Sequence, residues 1–177
     1  MSTAFTTAKI IGISGAAWLS GTISTLSLIS LPTLLTSTTS GTLTPPQAIA
    51  LWSQHFQRGF SLAPPIAVLT ATSLVYCGWS APSSRTPGST GVTWTSNARL
   101  FYAAAALTVS IVPFTVLFMR GTNEVLLGFA ERVGGKGISA GEGEEGARLM
   151  GRWMVLNGVR GVLPMLGAVV AGWASLG

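Results

Sequence analysis

Four long apolar stretches alternate with polar connections along the chain. The stretches cover about residues 10–35, 61–79, 100–119 and 153–176. Each holds roughly 20 residues, enough for a helix to cross a hydrocarbon core of roughly 30 Å, and a helix satisfies its backbone polar groups internally. The pattern therefore predicts an all-α fold, an integral membrane four-helix bundle in which residues 1–177 form a single domain.

The first stretch is rich in Ser and Thr and follows Lys9, so a cleaved signal peptide is an alternative interpretation. A membrane span is favoured because the apolar run is longer than a typical signal-peptide core and ends in no clear cleavage site. Gly12, Ala16, Ala17 and Gly21 include small-xxx-small spacings, which allow close contact between helices in a membrane.

Two connections carry predictions of their own. Pro45 and Pro46 suit a first helical turn, and the apolar residues after them recur at helical spacing (Ile49, Trp52, Phe56 and Phe60). This pattern predicts an interfacial amphipathic helix before the second span. Between the third and fourth spans, residues 134–146 are glycine-rich, and we expect them to form a mobile loop.

Composition supports the membrane interpretation. Only 8% of the residues are charged and 48% are hydrophobic, so lipid must cover much of the protein. The net charge of +5 arises from Lys and Arg that flank apolar runs, which suits lipid headgroups; no nucleic-acid partner is expected. More of these cations lie in the first and third connections (Arg58, Arg120, Arg132, Lys136, Arg148 and Arg152) than on the opposite side (Lys9, Arg85 and Arg99). The first and third connections are therefore predicted to be cytosolic.

Metal chemistry has few candidate ligands. His55 is the only histidine and Cys77 the only cysteine, which also excludes an internal disulfide. Zinc and di-iron sites usually need several His or carboxylate ligands, so we expect no metal site. A haem held by His55 alone has no support in the sequence.

A polar stripe marks the start of the fourth span. Trp153, Asn157 and Arg160 are spaced by four and three residues, which places them on one helix face. Arg160 follows Trp153 by two turns, about 10 Å along the axis. A cation at mid-membrane costs at least about 2.5–3.5 kcal/mol, so we expect Arg160 to face a polar cavity and to have a partner. Snorkelling to the headgroups, or a purely structural hydrogen bond, is the alternative.

Polar residues also follow the third span, which ends at Met119. Thr122 and Asn123 alone would be explained by a polar helix break, whereas Glu124 is either a solvated surface acid or the partner of Arg160.

The residues before the second span complete the candidate set. Histidine is the residue type that ordinarily titrates near neutral pH, so His55 is either a general base or a surface histidine. Phe56 and Arg58 follow it. Because the second span begins, the third ends and the fourth begins on one side of the membrane, these residues can converge at one end of the bundle.

Together these residues resemble a known family. Pro113-Phe114-Thr115, Met119, Gly121-Thr122-Asn123 and Trp153-x-x-x-Asn157-x-x-Arg160, followed by Gly167, are similar to the signature of the anthrone oxygenase-like membrane family. That family includes fungal polyketide-pathway enzymes, and the resemblance covers most of the chain. The more usual Pro-Thr-Asn is Gly-Thr-Asn here, and many members have His at the position of Asn157.

The resemblance implies an anthrone oxygenase, a monooxygenase-type enzyme that converts an anthrone to an anthraquinone with molecular oxygen in aromatic polyketide biosynthesis. Related soluble anthrone oxygenases work without metal or flavin, so no cofactor is expected. In this hypothesis Arg160 stabilises the substrate anion and Asn157 or Asn123 donates hydrogen bonds to it. His55 is the base, with Glu124 as its competitor, and the substrate-binding candidates are Thr122, Asn123, Trp153, Phe56, Arg58 and Met119.

Two other functions stay open. The chain could be a non-catalytic scaffold or accessory subunit of a biosynthetic pathway, or a small transporter of a hydrophobic metabolite. A scaffold gives no reason to bury Arg160, and a transporter usually shows repeats or discontinuous helices. The resemblance favours a fungal endomembrane such as the endoplasmic reticulum, with the active-site end cytosolic. Whether the protein forms a homo-oligomer is left open.

Overall fold

The computed structural model of the chain describes residues 2–81, 96–135 and 137–176. Arg85 and Lys136, which contribute to the charge bias, lie outside the described residues. The described part contains seven α-helices: α1 (Thr3–Thr25), α2 (Leu31–Thr39), α3 (Pro45–Ser80), α4 (Ser96–Val109), α5 (Ile111–Phe114), α6 (Arg120–Val133) and α7 (Ala140–Leu176). Two π-helical segments join α1 to α2 and α5 to α6: Leu26–Ser30 and Thr115–Met119.

Four helical segments in the described part are long and apolar enough to cross a membrane: Thr3–Thr39, Pro45–Ser80, Asn97–Val133 and Ala140–Leu176. Each predicted span lies within one of them, so the prediction of an all-α membrane protein with four spans is confirmed. The segments have 36 or 37 residues, more than the roughly 20 a bilayer requires, because polar helical turns extend each apolar stretch.

Each π-helical segment lies beside a proline. Leu26–Ser30 ends two residues before Pro32, and Thr115–Met119 begins two residues after Pro113. A proline removes a helix hydrogen bond, and a π-helical turn adjusts the register of the following bonds.

The predicted interfacial helix is continuous with the second span, because α3 runs through Pro64 and Pro65 without a break. Its first turn is capped: Gln47 Oε1 accepts hydrogen bonds from the backbone N of Thr44 at 2.9 Å and from its hydroxyl at 3.0 Å. Trp52, on the apolar face, is fully buried. Ile49 on the same face is also fully buried, whereas Phe60 is 65% exposed. A location of this helix at the membrane surface stays a prediction.

The glycine-rich loop is shorter than predicted. Helix α6 ends at Val133 and α7 begins at Ala140, so the loop prediction is wrong for residues 140–146, which are helical. A capping box starts α7: the Ser139 hydroxyl accepts from the backbone N of Glu142 at 3.3 Å, and Glu142 Oε2 accepts from the backbone N of Ser139 at 2.8 Å. These side chains satisfy backbone groups that glycine alone would leave free.

The glycines at the start of α7 allow close packing against α3. A Cβ on Gly143 would lie 2.9 Å from Pro45 Cβ, and one on Gly146 would lie 2.5 Å from Ile49 Cδ1. Both positions are buried. Their glycine content therefore reflects contact between helices and is not a sign of a loop.

The described residues divide into two compact units. Unit 1 comprises the described parts of residues 1–20, 64–111 and 162–177, and its core includes Leu74 and Phe101. Unit 2 comprises the described parts of residues 21–63 and 112–161, and its core includes Trp52, Met119 and Trp153. Every site residue predicted from the sequence belongs to unit 2.

Within unit 1, α1 and α3 approach closely at small residues. A Cβ on Gly12 would lie 2.6 Å from Leu74 Cδ2, and one on Gly15 would lie 2.2 Å from Thr70 Oγ1. Ala16 is fully buried. These contacts are the kind that small-xxx-small spacing allows in lipid.

Candidate active site

One face of α7 forms the centre of the candidate site in unit 2. Asn157 is 0% exposed and Trp153 is 2% exposed, and Arg160 is half-buried. Their side chains make hydrogen bonds to α1, to the first π-helical segment, to the second π-helical segment and to α6. This face therefore makes hydrogen bonds to the first and third spanning segments. It contacts α3 through aromatic rings.

Trp153 connects α7 to α6. Its indole Nε1 donates to Asn123 Oδ1 at 2.9 Å, and Asn123 is itself buried. Thr122 is buried beside it, and Met119 is fully buried in the core of the same unit. The structure thus brings together the polar residues that follow the third span and those that start the fourth.

Asn157 has all of its amide hydrogens engaged. Nδ2 donates to the carbonyl oxygen of Ile23 at 2.9 Å and to the hydroxyl of Ser27 at 2.8 Å, and Oδ1 accepts from Nη2 of Arg160 at 2.6 Å. Nδ2 carries only two hydrogens, and both are bonded within the protein, so neither is free for the donation to substrate that was predicted for Asn157. Asn157 instead holds the guanidinium of Arg160 in place.

Arg160 lies near the middle of α7 and has no acidic partner in the part of the chain that the structure describes. Nη1 donates to Thr115 Oγ1 at 2.8 Å, and Nη2 donates to Asn157. Among the described residues, its buried Nε has no hydrogen-bond partner, and no carboxylate forms an ion pair with the guanidinium. The result is a half-buried cation oriented by two neutral oxygens, with a buried Nε that no described residue pairs.

One prediction made Glu124 the partner of Arg160, and the structure contradicts it. Its Oε1 accepts from Nε of Arg120 at 2.7 Å, and its side chain is 61% exposed. The two residues are four apart on α6, so they share its exposed face, whereas Thr122 and Asn123 lie on the buried face. Glu124 is the solvated surface acid of the alternative prediction.

His55 is half-buried on α3, and its Nδ1 lies 2.8 Å from the carbonyl oxygen of Leu51. Because a carbonyl only accepts, Nδ1 carries the hydrogen, and Nε2 of the neutral ring keeps a free lone pair. The neighbouring Arg58 is exposed. The described contacts of His55 thus lie within its own helix and do not connect it to Arg160.

An aromatic series links α3 to the site. Phe56 stacks on Trp52 with ring centroids 5.3 Å apart, and Trp52 meets Trp153 edge to face at 5.8 Å. Phe56 is therefore joined to the α7 face through Trp52, a residue that the sequence analysis placed on the amphipathic helix but not in the site. Among the described residues, no group of three His, Cys or Glu side chains could hold a metal ion.

Three further contributors were missed: the Ile23 carbonyl, Ser27 and Thr115. Ser27 was one hydroxyl among many in the first stretch, and a backbone carbonyl leaves no sequence signal. Thr115 stood inside the Pro-Phe-Thr element of the signature and was the one contributor with a usable signal.

Comparison with known proteins identifies the family. The sequence profile described as anthrone oxygenase matches residues 52–170, which include all the α3, α6 and α7 residues of the site. This chain belongs to the anthrone oxygenase family. It is an oxidoreductase, in agreement with the resemblance noted from its sequence.

Several members of the anthrone oxygenase family align with most of the chain. An anthrone oxygenase of Aspergillus fumigatus is 35% identical, covering 95% of this chain and 92% of that protein. An anthrone oxygenase of Paecilomyces divaricatus is 33% identical, covering 93% of each. A noranthrone monooxygenase of Aspergillus flavus is 31% identical, covering 92% of this chain and 70% of that protein. No solved structure matches the chain.

Proposed function

We propose that this protein oxidises the methylene carbon of an anthrone to the carbonyl of an anthraquinone, with molecular oxygen as oxidant and water as the second product. The relatives are named for anthrone or noranthrone oxidation. The observation that carries the proposal is the half-buried guanidinium of Arg160, which has no carboxylate partner among the described residues. An anion formed on the substrate would complement that charge.

The reaction begins with loss of a proton from the methylene carbon. Its electron pair delocalises onto the carbonyl oxygen and gives a phenolate-like anion. A cation within about 4–6 Å lowers the pKa of an acid by about 1–3, so Arg160 makes this step easier. Because the donors of Arg160 are fixed before the charge develops, little reorganisation is needed.

The anion then reduces oxygen. A carbon–oxygen bond forms at the former methylene carbon, and the proton held by the base completes a hydroperoxide. Loss of the second methylene proton, with cleavage of the oxygen–oxygen bond, releases water and leaves the new carbonyl. The substrate anion supplies the electrons, so we propose that neither a metal nor an organic cofactor takes part.

The side chains divide the work. Arg160 binds the developing oxyanion, and Asn157 and Thr115 position its guanidinium. His55 is the proposed base, because Nε2 is its free acceptor atom. Trp153 and Phe56 are the proposed aromatic contacts of a flat polycycle. We place the site at the cytosolic end of the bundle in an endomembrane such as the endoplasmic reticulum, where an apolar polycycle can arrive from the lipid.

The test is oxidation of emodin anthrone by the purified protein in detergent, followed by quinone absorbance against detergent alone. With isotopically labelled oxygen gas, one labelled atom should appear in each quinone. Arg160→Ala should lose about 100-fold or more of the enzymatic rate, the scale seen when an oxyanion donor is removed. Arg160→Lys keeps the charge and loses the planar fork, so it should recover part of that rate.

Two results would count against the proposal. If the protein oxidises emodin anthrone no faster than detergent alone, it does not have the proposed activity. If Arg160→Ala reacts as fast as wild type, Arg160 does not stabilise the substrate anion. Treatment with chelators and metal analysis of the active protein test the absence of a metal: a rate that falls with metal removal would contradict that part alone.

A further inference from the structure

Trp52 carries a buried hydrogen-bond donor for which the described part of the chain supplies no acceptor. The side chain is 0% exposed, and its indole Nε1 has no hydrogen-bond partner among the residues that the structure describes. Buried donors in folded proteins are nearly always paired, because an unpaired one loses its bond to water and gains nothing in return. The unpaired indole therefore needs a physical explanation.

The neighbouring indole shows the contrast. Trp153 meets Trp52 edge to face at 5.8 Å, and its own Nε1 is paired with Asn123 at 2.9 Å. Two buried indoles thus lie side by side in one core, one with a partner from the protein and one without. General apolar packing does not explain why the second indole is not a phenyl ring.

A second unpaired donor lies in the same unit. Nε of Arg160 is buried and also lacks a partner in the described ranges. Arg160 follows Trp153 by two helical turns, so the levels of the two residues differ by about 10 Å along α7. Trp52 contacts Trp153 and therefore lies toward the other end of this face. The site thus offers unpaired donors at two separate levels, with the rings of Phe56 and Trp153 beside one of them.

We propose that Trp52 is a substrate-binding residue whose indole N–H donates to an oxygen on a terminal ring of the polycycle, while Arg160 binds the oxyanion of its central ring. This inference rests on the proposed function and narrows its substrate class. The preferred substrate is a polycyclic anthrone that carries an additional hydroxyl or keto oxygen on a terminal ring, at a position away from the central carbonyl.

The kinetic test compares two anthrones that differ by one terminal-ring hydroxyl, emodin anthrone and chrysophanol anthrone, which lacks it. Wild type should favour emodin anthrone. Trp52→Phe keeps the ring face and removes the N–H, so kcat/KM for emodin anthrone should fall about fivefold, the effect of one hydrogen bond, with little change for chrysophanol anthrone. Trp173→Phe is the matched control, because Trp173 is 71% exposed. Equal losses for both substrates, or no loss for either, would overturn the proposal.

A binding test needs neither turnover nor a folded variant. In wild type, the indole N–H resonance of Trp52 should move downfield when the quinone emodin binds, and should move less with chrysophanol. An unchanged resonance at saturating emodin would overturn the assignment of Trp52. If wild type binds emodin in this way but forms no quinone from the anthrone, the binding inference stands and the proposed function fails.

Discussion

Nη2 of Arg160 donates to Oδ1 of Asn157 at 2.6 Å, three residues earlier on the same helix. The amide of Asn157 is in turn fixed by the carbonyl of Ile23 and the hydroxyl of Ser27. The guanidinium is therefore oriented by a neutral group that is itself held by another spanning segment. A neutral partner fixes the direction of the guanidinium without cancelling its charge. The proposed chemistry requires this combination of fixed orientation and uncompensated charge.

Variants of Asn157 test whether Arg160 needs both a fixed orientation and an uncompensated charge. Asn157→Ala should destabilise the protein by about 2 kcal/mol, because it removes buried hydrogen bonds to the first span and leaves Arg160 with one fewer acceptor. Asn157→Asp should be less active than Asn157→Ala at equal folded concentration, because its carboxylate pairs with Arg160 and neutralises it. Thermal unfolding and quinone formation measure the two effects. A wild-type rate in Asn157→Asp would mean that the free charge is not needed.

Trp153→Phe should separate packing from hydrogen bonding. The ring contact with Trp52 is largely kept, but Asn123 Oδ1 loses its donor at a buried position. We expect a loss of about 1–2 kcal/mol in the free energy of unfolding. Asn123→Ala in the same background should add little further loss, because the bond is already absent. Fully additive losses would show that the two residues act independently.

His55→Ala should lower kcat if His55 removes the methylene proton. With substrate deuterated at the methylene carbon, the isotope effect on kcat should grow in the variant, because proton removal becomes slower than the other steps. Gln54→Ala, an exposed change on the preceding residue, is the matched control. Equal kcat and equal isotope effects in wild type and His55→Ala would eliminate His55 as the base.

Glu124→Gln should leave the rate within about twofold of wild type, because an exposed ion pair contributes little. Its carboxylate contacts Arg120 on the outer face of α6 and makes no described contact with Arg160. The measurement is quinone formation by Glu124→Gln beside Arg120→Gln. A loss of about 100-fold in Glu124→Gln alone would restore Glu124 as the candidate base.

Gly146→Ala should destabilise unit 2, because its Cβ would lie 2.5 Å from Ile49 Cδ1. Adjusting that side chain is expected to cost about 1–3 kcal/mol. Gly151→Ala is the control on the same helix: apart from its own helical turn, no described atom lies within 4 Å of its Cβ position. The higher helix propensity of Ala should therefore make this change neutral or stabilising. Similar thermal unfolding of both variants would contradict close packing at Gly146.

Hydrophobic patterning alone predicted the four spans, because a bilayer imposes length and helical form on any chain that crosses it. The extent of the helices was less predictable. Residues 140–146 were interpreted as loop from their glycines, but the Ser139–Glu142 cap and the close approach to Ile49 make them helical. Glycines are common both in flexible loops and where two helices pack closely. The sequence does not distinguish these cases without the position of the neighbouring helix.

The candidate site was also predictable from the sequence only in part. The sequence by itself determined that Trp153, Asn157 and Arg160 share one helix face, because spacing along a single helix fixes direction. It also placed Asn123 near that face through the order of the spans. Only the tertiary structure decided the partners: Thr115 for Arg160, Ile23 and Ser27 for Asn157, and Arg120 for Glu124. Hydrogen bonds between distant segments depend on helix rotation and depth, and hydrophobic periodicity defines these only to within a turn.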